Sequence, residues 1–275
     1  MAKKPRQRRC ALRLEELEAR EAPAVAPWAT GTLLRESFEN IPTAAMPSDW
    51  SQWTNLGPFA VSQSQPLGGS RGLTASGTSG QSARTWINTS LPSSVQVSAA
   101  VYLDSLVPIY ILARGSNLDT PTPTYYAVSV TRGLELELLR LANGVASSLG
   151  QISSSSYFSS QWARVTLEVN GSSVRAKVSR VDTGEYLNTA GQWQASVSWA
   201  LSRTDSTIAS GGLVGLGRQA GYAGTVALDD FKVTGIPSGS TPPSVLAQQS
   251  FDSGTLGMVP AGSDRPGRRC RGLCR

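Results

Sequence analysis

Three groups of residues could do chemistry. Glu135 and Glu137 stand two apart in the run Glu135-Leu136-Glu137-Leu138-Leu139-Arg140. On an extended strand such residues share a face, with backbones about 6.5–7 Å apart. A retaining glycosidase needs two carboxyl groups at about 5–5.5 Å, a gap that side-chain flexibility closes. The outer face of an amphipathic strand explains the same pair with no chemistry at all. In a second group, Glu36 and Glu39 lie early in the chain and Asp229 and Asp230 late. If first and last strands are neighbours, these carboxylates meet and, with backbone carbonyls, suit Ca2+. Charges that guard a sheet edge against aggregation are the alternative. In the third group Arg84, Trp86 and Asn88 share one side of a run, as do Tyr110 and Arg114, and Tyr102 and Asp104; Tyr125 or Tyr126 joins them, with Tyr126 the choice. Aromatic plates flanked by hydrogen-bonding groups suit sugar rings, which are apolar on their faces and polar at their edges. Trp and Tyr are also ordinary residues of sheet faces and cores.

Much other chemistry is excluded. The chain has no histidine, hence no His triad, His general base or His-ligated metal. Its cysteines, Cys10, Cys270 and Cys274, lie near the two ends, leaving the body without a disulfide or thiolate metal site. Gly215-Leu216-Gly217 lacks the following helix that a phosphate cradle requires.

The elements that must position these residues are strands. Val95, Val97, Ala99, Val101 and Leu103 alternate with Gln96, Ser98, Ala100, Tyr102 and Asp104, and similar alternation marks Leu134–Leu138, Val165–Val169 and Val174–Val178. A period of two places one side on a core and the other towards solvent. Asn143-Gly144 and Asn170-Gly171 suit hairpin turns, whose central residues need positive φ. The pattern predicts roughly a dozen strands, the first near 36–40 and the last near 225–234, with no capped helical segment in the body. So many strands in about 200 residues cannot form one flat sheet. The expected fold is all-β, a two-sheet antiparallel jelly-roll sandwich.

The 275 residues carry a net charge of +6, but the excess is terminal. Residues 1–22 hold seven basic and four acidic groups, and 264–275 hold five arginines and one aspartate, leaving 23–263 at −1. A nucleic-acid-binding domain carries its positive charge on the folded body, so no nucleic-acid partner is expected. No apolar run approaches the about 18 residues of a membrane span. The basic cluster at 3–9 is followed by Leu12-Arg13-Leu14-Glu15-Glu16-Leu17-Glu18-Ala19-Arg20-Glu21-Ala22-Pro23-Ala24, whose acids rule out the apolar stretch of an ordinary export signal.

Two resemblances add to this. The N-terminal string resembles the planctomycete-type sorting motif of large secreted surface proteins, which implies an extracellular or cell-surface location; a solvated terminal helix is the plainer alternative. Glu36-Ser37-Phe38-Glu39-Asn40, Tyr125-Tyr126-Ala127-Val128, Leu141-Ala142-Asn143-Gly144-Val145, Trp162–Val169 and Ala227–Val233 together resemble a concanavalin A-like jelly roll of the laminin-G-like type. That implies a sandwich with one concave face, in a superfamily of lectins, adhesion and sugar-binding modules and some glycosidases. It also implies that a structural Ca2+ is common. Glucanases of the superfamily carry Glu-x-Asp-x-x-Glu, from which Glu137 and Arg140 depart at the second and third acids. An arginine there would deny an acid its proton, so no catalytic residue is assigned.

The chain divides into a sorting segment (1–32), a sandwich domain (33–236), a Pro/Ser/Gly linker (237–245) and a last segment (246–275). In the last segment Phe251-Asp252 and Pro260 repeat Phe38-Glu39 and Pro47 at a constant offset. The expectation is the truncated start of a second copy within a tandem array, ending in a basic tail. The functional expectation is a non-catalytic carbohydrate-binding, adhesion or structural module with a carbohydrate or cell-surface polymer as partner, and a glycoside hydrolase of the same fold as the alternative.

Overall fold

In the computed structural model, residues 31–54 and 57–236 are described. The sorting motif, the linker and the incomplete repeat lie outside the described residues. Seventeen strands and no helix occur among the described residues: β1 (Gly31–Glu36), β2 (Trp50–Thr54), β3 (Phe59–Ser62), β4 (Gly72–Gly77), β5 (Ala83–Ile87), β6 (Val95–Tyr102), β7 (Ile109–Ser116), β8 (Thr124–Thr131), β9 (Glu135–Ala142), β10 (Val145–Ser153), β11 (Trp162–Asn170), β12 (Ser173–Arg180), β13 (Tyr186–Leu187), β14 (Trp193–Gln194), β15 (Leu201–Thr204), β16 (Leu213–Arg218) and β17 (Gly224–Gly235).

They form two sheets. The seven-stranded sheet runs β10-β9-β8-β7-β16-β5-β2; the ten-stranded sheet runs β14-β13-β12-β11-β6-β17-β4-β3, with β1 on β17 and β15 on β12. Every pairing is antiparallel. The chain changes sheet repeatedly, for example between β5 and β6, β6 and β7, β10 and β11, and β16 and β17, as a jelly roll requires. The sandwich expected from alternation is the one observed.

Alternation explains the packing between the sheets. Register sets Val97 beside Leu167, Ala99 beside Val165 and Val101 beside Ala163. These side chains meet Ile109, Ile111, Val128, Val130, Leu136 and Leu138 of the other sheet in one buried core. Each such large aliphatic side chain contributes about 1.5–3 kcal/mol by leaving water. Trp50 joins Phe38 and Phe231 at ring-centroid distances of 6.0 and 5.0 Å, both edge-on.

The strand expected near 36–40 is corrected. β1 ends at Glu36, and 37–40 is a turn. Phe38 takes φ of 62°, a left-handed conformation costing roughly 1–2 kcal/mol. Complete burial of its ring offsets that cost, and Glu36 holds the turn by accepting from Phe38 N at 2.6 Å.

Few acids are buried, and three buried arginines are held by carbonyls instead. Arg218 donates to the backbone of Gln81 at 2.5 Å, Gly77 at 2.7 Å and Tyr222 at 3.1 Å, tying the β4–β5 connection to the β16–β17 loop. Arg114 reaches Ser93 O at 2.8 Å, Ile208 O at 2.5 Å and Gly171 O at 2.8 Å. Arg84 is the third.

Candidate functional site

The seven-stranded sheet has a second apolar cluster, separate from the interior core, formed by Trp86, Leu112, Leu118, Tyr125, Leu139 and Leu141. These residues are out of phase with the core-facing ones, so they lie on the sheet's outer face. Register builds two rows across that face. Trp53, Arg84, Gly217, Tyr110, Ser129 and Glu137 stand side by side. The adjacent row is Ser51, Trp86, Gly215, Leu112, Ala127 and Leu139.

The glycines make the middle of this face flat. A Cβ on Gly215 would sit 2.0 Å from Thr85 O, so only glycine fits where β16 meets β5. The loop after β7 then folds over the face. Leu118 packs into the outer apolar cluster, Arg84 Nε donates to Leu118 O at 2.5 Å, and a second Arg84 nitrogen reaches Thr120 O. The Arg84 guanidinium lies 4.0 Å from the Trp53 ring centroid, a cation–π contact.

Beside this loop a cleft of about 410 Å³ remains, lined by Ser51, Gln52, Trp86, Asn117, Leu118, Asp119 and Leu213. Its floor is apolar, from Trp86, Leu118 and Leu213. The hydroxyl of Ser51, the amide of Asn117 and the carboxylate of Asp119 make no hydrogen bond to other described residues, though the Asp119 charge acts on Arg84. Asn117 has φ of 53°, which Asn tolerates better than most residues.

Further along the first row, burial and then the Glu137 charge push the Tyr110 phenol up to about 12. Burial likewise raises Tyr125. Both phenols are therefore neutral hydrogen-bonding groups at physiological pH.

The structure distributes the residues singled out for sugar binding unevenly. Arg84, Trp86 and Tyr110 do share this face. Asn88 is exposed one residue past β5. Tyr102 is on the ten-stranded sheet, against Trp162 at 5.5 Å. Arg114 and Tyr126 face inward. A register irregularity between Ala113 and Ser116, with Arg114 at φ 54°, turns its side chain away from that of Tyr110. Tyr126 is fully buried; its hydroxyl donates to Asp205 Oδ1 at 2.5 Å, and Arg140 donates to Asp205 Oδ2 at 2.7 Å. Tyr125, not Tyr126, is the tyrosine of the outer face. Sequence reasoning missed Ser51, Asn117, Asp119 and Leu213; the one available signal was the polar string Ser116-Asn117-Leu118-Asp119 interrupted by a leucine.

Arg140 is not beside the glutamate pair. It faces Asp205, while Glu135 and Glu137 are in phase with the opposite side of β9.

The four carboxylates expected to hold Ca2+ do not converge, although β1 and β17 do pair. Glu36 caps the Phe38 turn. Glu39 accepts from Ser70 N at 3.1 Å and Arg71 N at 3.0 Å, which hold its carboxyl below the usual range. Asp229 accepts from Leu67 N at 3.0 Å and Asp230 N at 2.7 Å; burial nevertheless raises its pKa. Asp230 is paired with Arg164 at 2.8 Å and Arg35 at 3.3 Å. Among the described residues no three acidic or cysteine side chains come together as a metal set. These residues do not fit the ion: their oxygens face donors and guanidinium groups rather than an open cage.

No family model and no curated protein sequence matches the chain. Solved structures do resemble it. The exoplasmic/lumenal domain of VIP36, in a Ca2+/Man-bound form, superposes with a TM-score of 0.53 at 8% identity, covering 75% of this chain and 90% of that one. A Bacillus subtilis protein of unknown function with a galectin-like fold gives 0.52 at 12% identity, covering 76% and 98%. The carbohydrate-binding module CBM66 from Bacillus subtilis gives 0.47 at 13% identity, covering 68% and 95%. At these identities the likeness speaks for the fold alone: a two-sheet antiparallel jelly-roll sandwich.

Proposed function

We propose that this chain is a non-catalytic carbohydrate-binding module of a secreted or cell-surface protein, and that the cleft beside Trp86 holds the sugar. One observation carries this reading. Three polar side chains that make no hydrogen bond to other described residues, those of Ser51, Asn117 and Asp119, ring an apolar floor of Trp86, Leu118 and Leu213. That combination matches a sugar's polar edge and apolar face. The mannose-bound VIP36 domain of the same architecture adds support at the level of fold. The surface location rests on the N-terminal motif, and the repeat at 246–275 suggests that the module stands in a tandem array. No calcium step enters this reading.

Glycan-array binding and reducing-sugar release, measured together on the full chain, test it. Binding without sugar release, lost in Asp119→Asn, supports the module. Release that vanishes in Glu137→Gln supports the hydrolase instead. Silence in both assays leaves a structural spacer as the better account. Asp119 is exposed, so its substitution leaves the packed cluster intact.

A further inference from the structure

The ten-stranded sheet carries a groove of its own on its outer face, about 350 Å³ in volume. Register lines up Lys177, Thr166, Ser98, Lys232 and Arg35 in one row across β12, β11, β6, β17 and β1. Neighbouring strands lie about 4.7–4.9 Å apart, so Lys177 and Lys232 stand about 14 Å apart at their backbones. Thr166 and Ser98 form the floor between them.

The charges in this groove are poorly compensated. Arg35 and Arg164 share the single carboxylate of Asp230. Glu168, whose charge also acts on Lys177, is engaged by Arg175 Nε at 2.9 Å and Gln96 Nε2 at 2.5 Å. Neither Lys177 nor Lys232 has a hydrogen bond or ion pair among the described residues. The Lys177 ammonium sits 5.0 Å from the Trp199 ring centroid and 5.9 Å from that of Tyr186. The hydroxyls of Ser98, Thr166 and Thr234 likewise make no hydrogen bond to other described groups. Four cations, Arg35, Arg164, Lys177 and Lys232, thus meet one carboxylate, Asp230, in this groove, on a body whose own net charge is −1.

We propose that this groove binds an acidic polysaccharide, one bearing carboxylate or sulfate groups, across the strands. Two ammonium groups that make no hydrogen bond or ion pair among the described residues, separated by a floor of hydroxyls, match a chain on which anionic groups alternate with neutral hydroxyls. A nucleic acid strand carries one charge about every 3.4 Å, a denser array than these cations answer. The groove is on the opposite face of the sandwich from the Trp86 cleft, so the two assignments stand or fall separately.

The chain has only four lysines, Lys3, Lys4, Lys177 and Lys232, which makes lysine acetylation footprinting selective. On the full chain, polygalacturonate or dextran sulfate should protect Lys177 and Lys232 several-fold, while uncharged dextran should not. The polyanion that protects identifies carboxylate or sulfate as the recognised group. Protection confined to Lys3 and Lys4 overturns the proposal, because the basic terminus then does the binding. Equal protection of Lys177 and Lys232 by duplex DNA overturns the polysaccharide assignment. In titration calorimetry the variant Lys177→Gln/Lys232→Gln should bind at least tenfold more weakly with an unchanged circular dichroism spectrum. A double variant of undiminished affinity contradicts the assignment.

Discussion

Arg84 and Leu118 fasten the loop after β7 to the sheet beside the cleft: Arg84 Nε donates to Leu118 O at 2.5 Å. The contact spans two elements, β5 and the loop after β7, and it buries a guanidinium that has no hydrogen-bonded carboxylate. Burial lowers the arginine's pKa, yet an arginine remains charged at any ordinary pH.

Removing that guanidinium should loosen the loop. In Arg84→Met the carbonyls of Leu118 and Thr120 lose their donor, at a cost of about 1–3 kcal/mol. Hydrogen exchange at 117–120 should quicken at least tenfold, more than at β6 or β11. Unchanged exchange there would show that Leu118 packing alone holds the loop.

A methyl group at Gly215 should be far worse than one at Gly68. The added Cβ meets Thr85 O at 2.0 Å in the first case and nothing within 4 Å in the second. Gly215→Ala is expected to lose about 2 kcal/mol or more, as overpacking does. Gly68→Ala should fall within about 0.5 kcal/mol of the parent. Urea midpoints compare the two.

These two contacts also mark what the sequence could and could not reveal. Strands with one wet face, such as β6 and β12, are legible because polar and apolar residues alternate. β8 is not, because Tyr125 and Ala127 are covered by the loop while Tyr126 and Val128 face the core. With both faces dry, hydrophobicity cannot tell one tyrosine from the other. Arg114 fails differently: counting by twos assumes an unbroken strand, and the irregularity after Ala113 shifts the phase. The irregularity between Asp229 and Lys232 similarly brings Asp230 to Arg35 and Arg164. The cleft itself joins β2, β5, β16 and a loop from distant parts of the chain, a proximity only the register of the sheet creates.

Alkaline pH should weaken the fold through Tyr110. Its folded pKa is pushed up to about 12, against about 10 for an unfolded tyrosine. The folded chain keeps this proton while the unfolded chain releases it, so the contribution is complete below about pH 10 and is lost as pH rises towards about 12. Urea midpoints should therefore drop between about pH 9 and about pH 11, and less so in Tyr110→Phe. An identical drop in both proteins would remove Tyr110 as a source.

Calcium should not bind at the β1–β17 edge. Asp230 already pairs with Arg164 and Arg35. Calorimetric titration of the full chain with Ca2+ is expected to give the same heats for the parent and Asp230→Ala. A binding heat present in the parent and absent in the variant would contradict the reading of these carboxylates as structural.

The most direct test of the whole account is a side-by-side glycan array of the parent chain and Asp119→Asn. The account predicts a defined set of glycans bound by the parent and lost from the variant, both proteins melting alike. Uncharged glycans retained undiminished by the variant would put their recognition somewhere other than the cleft between Trp86 and Asp119.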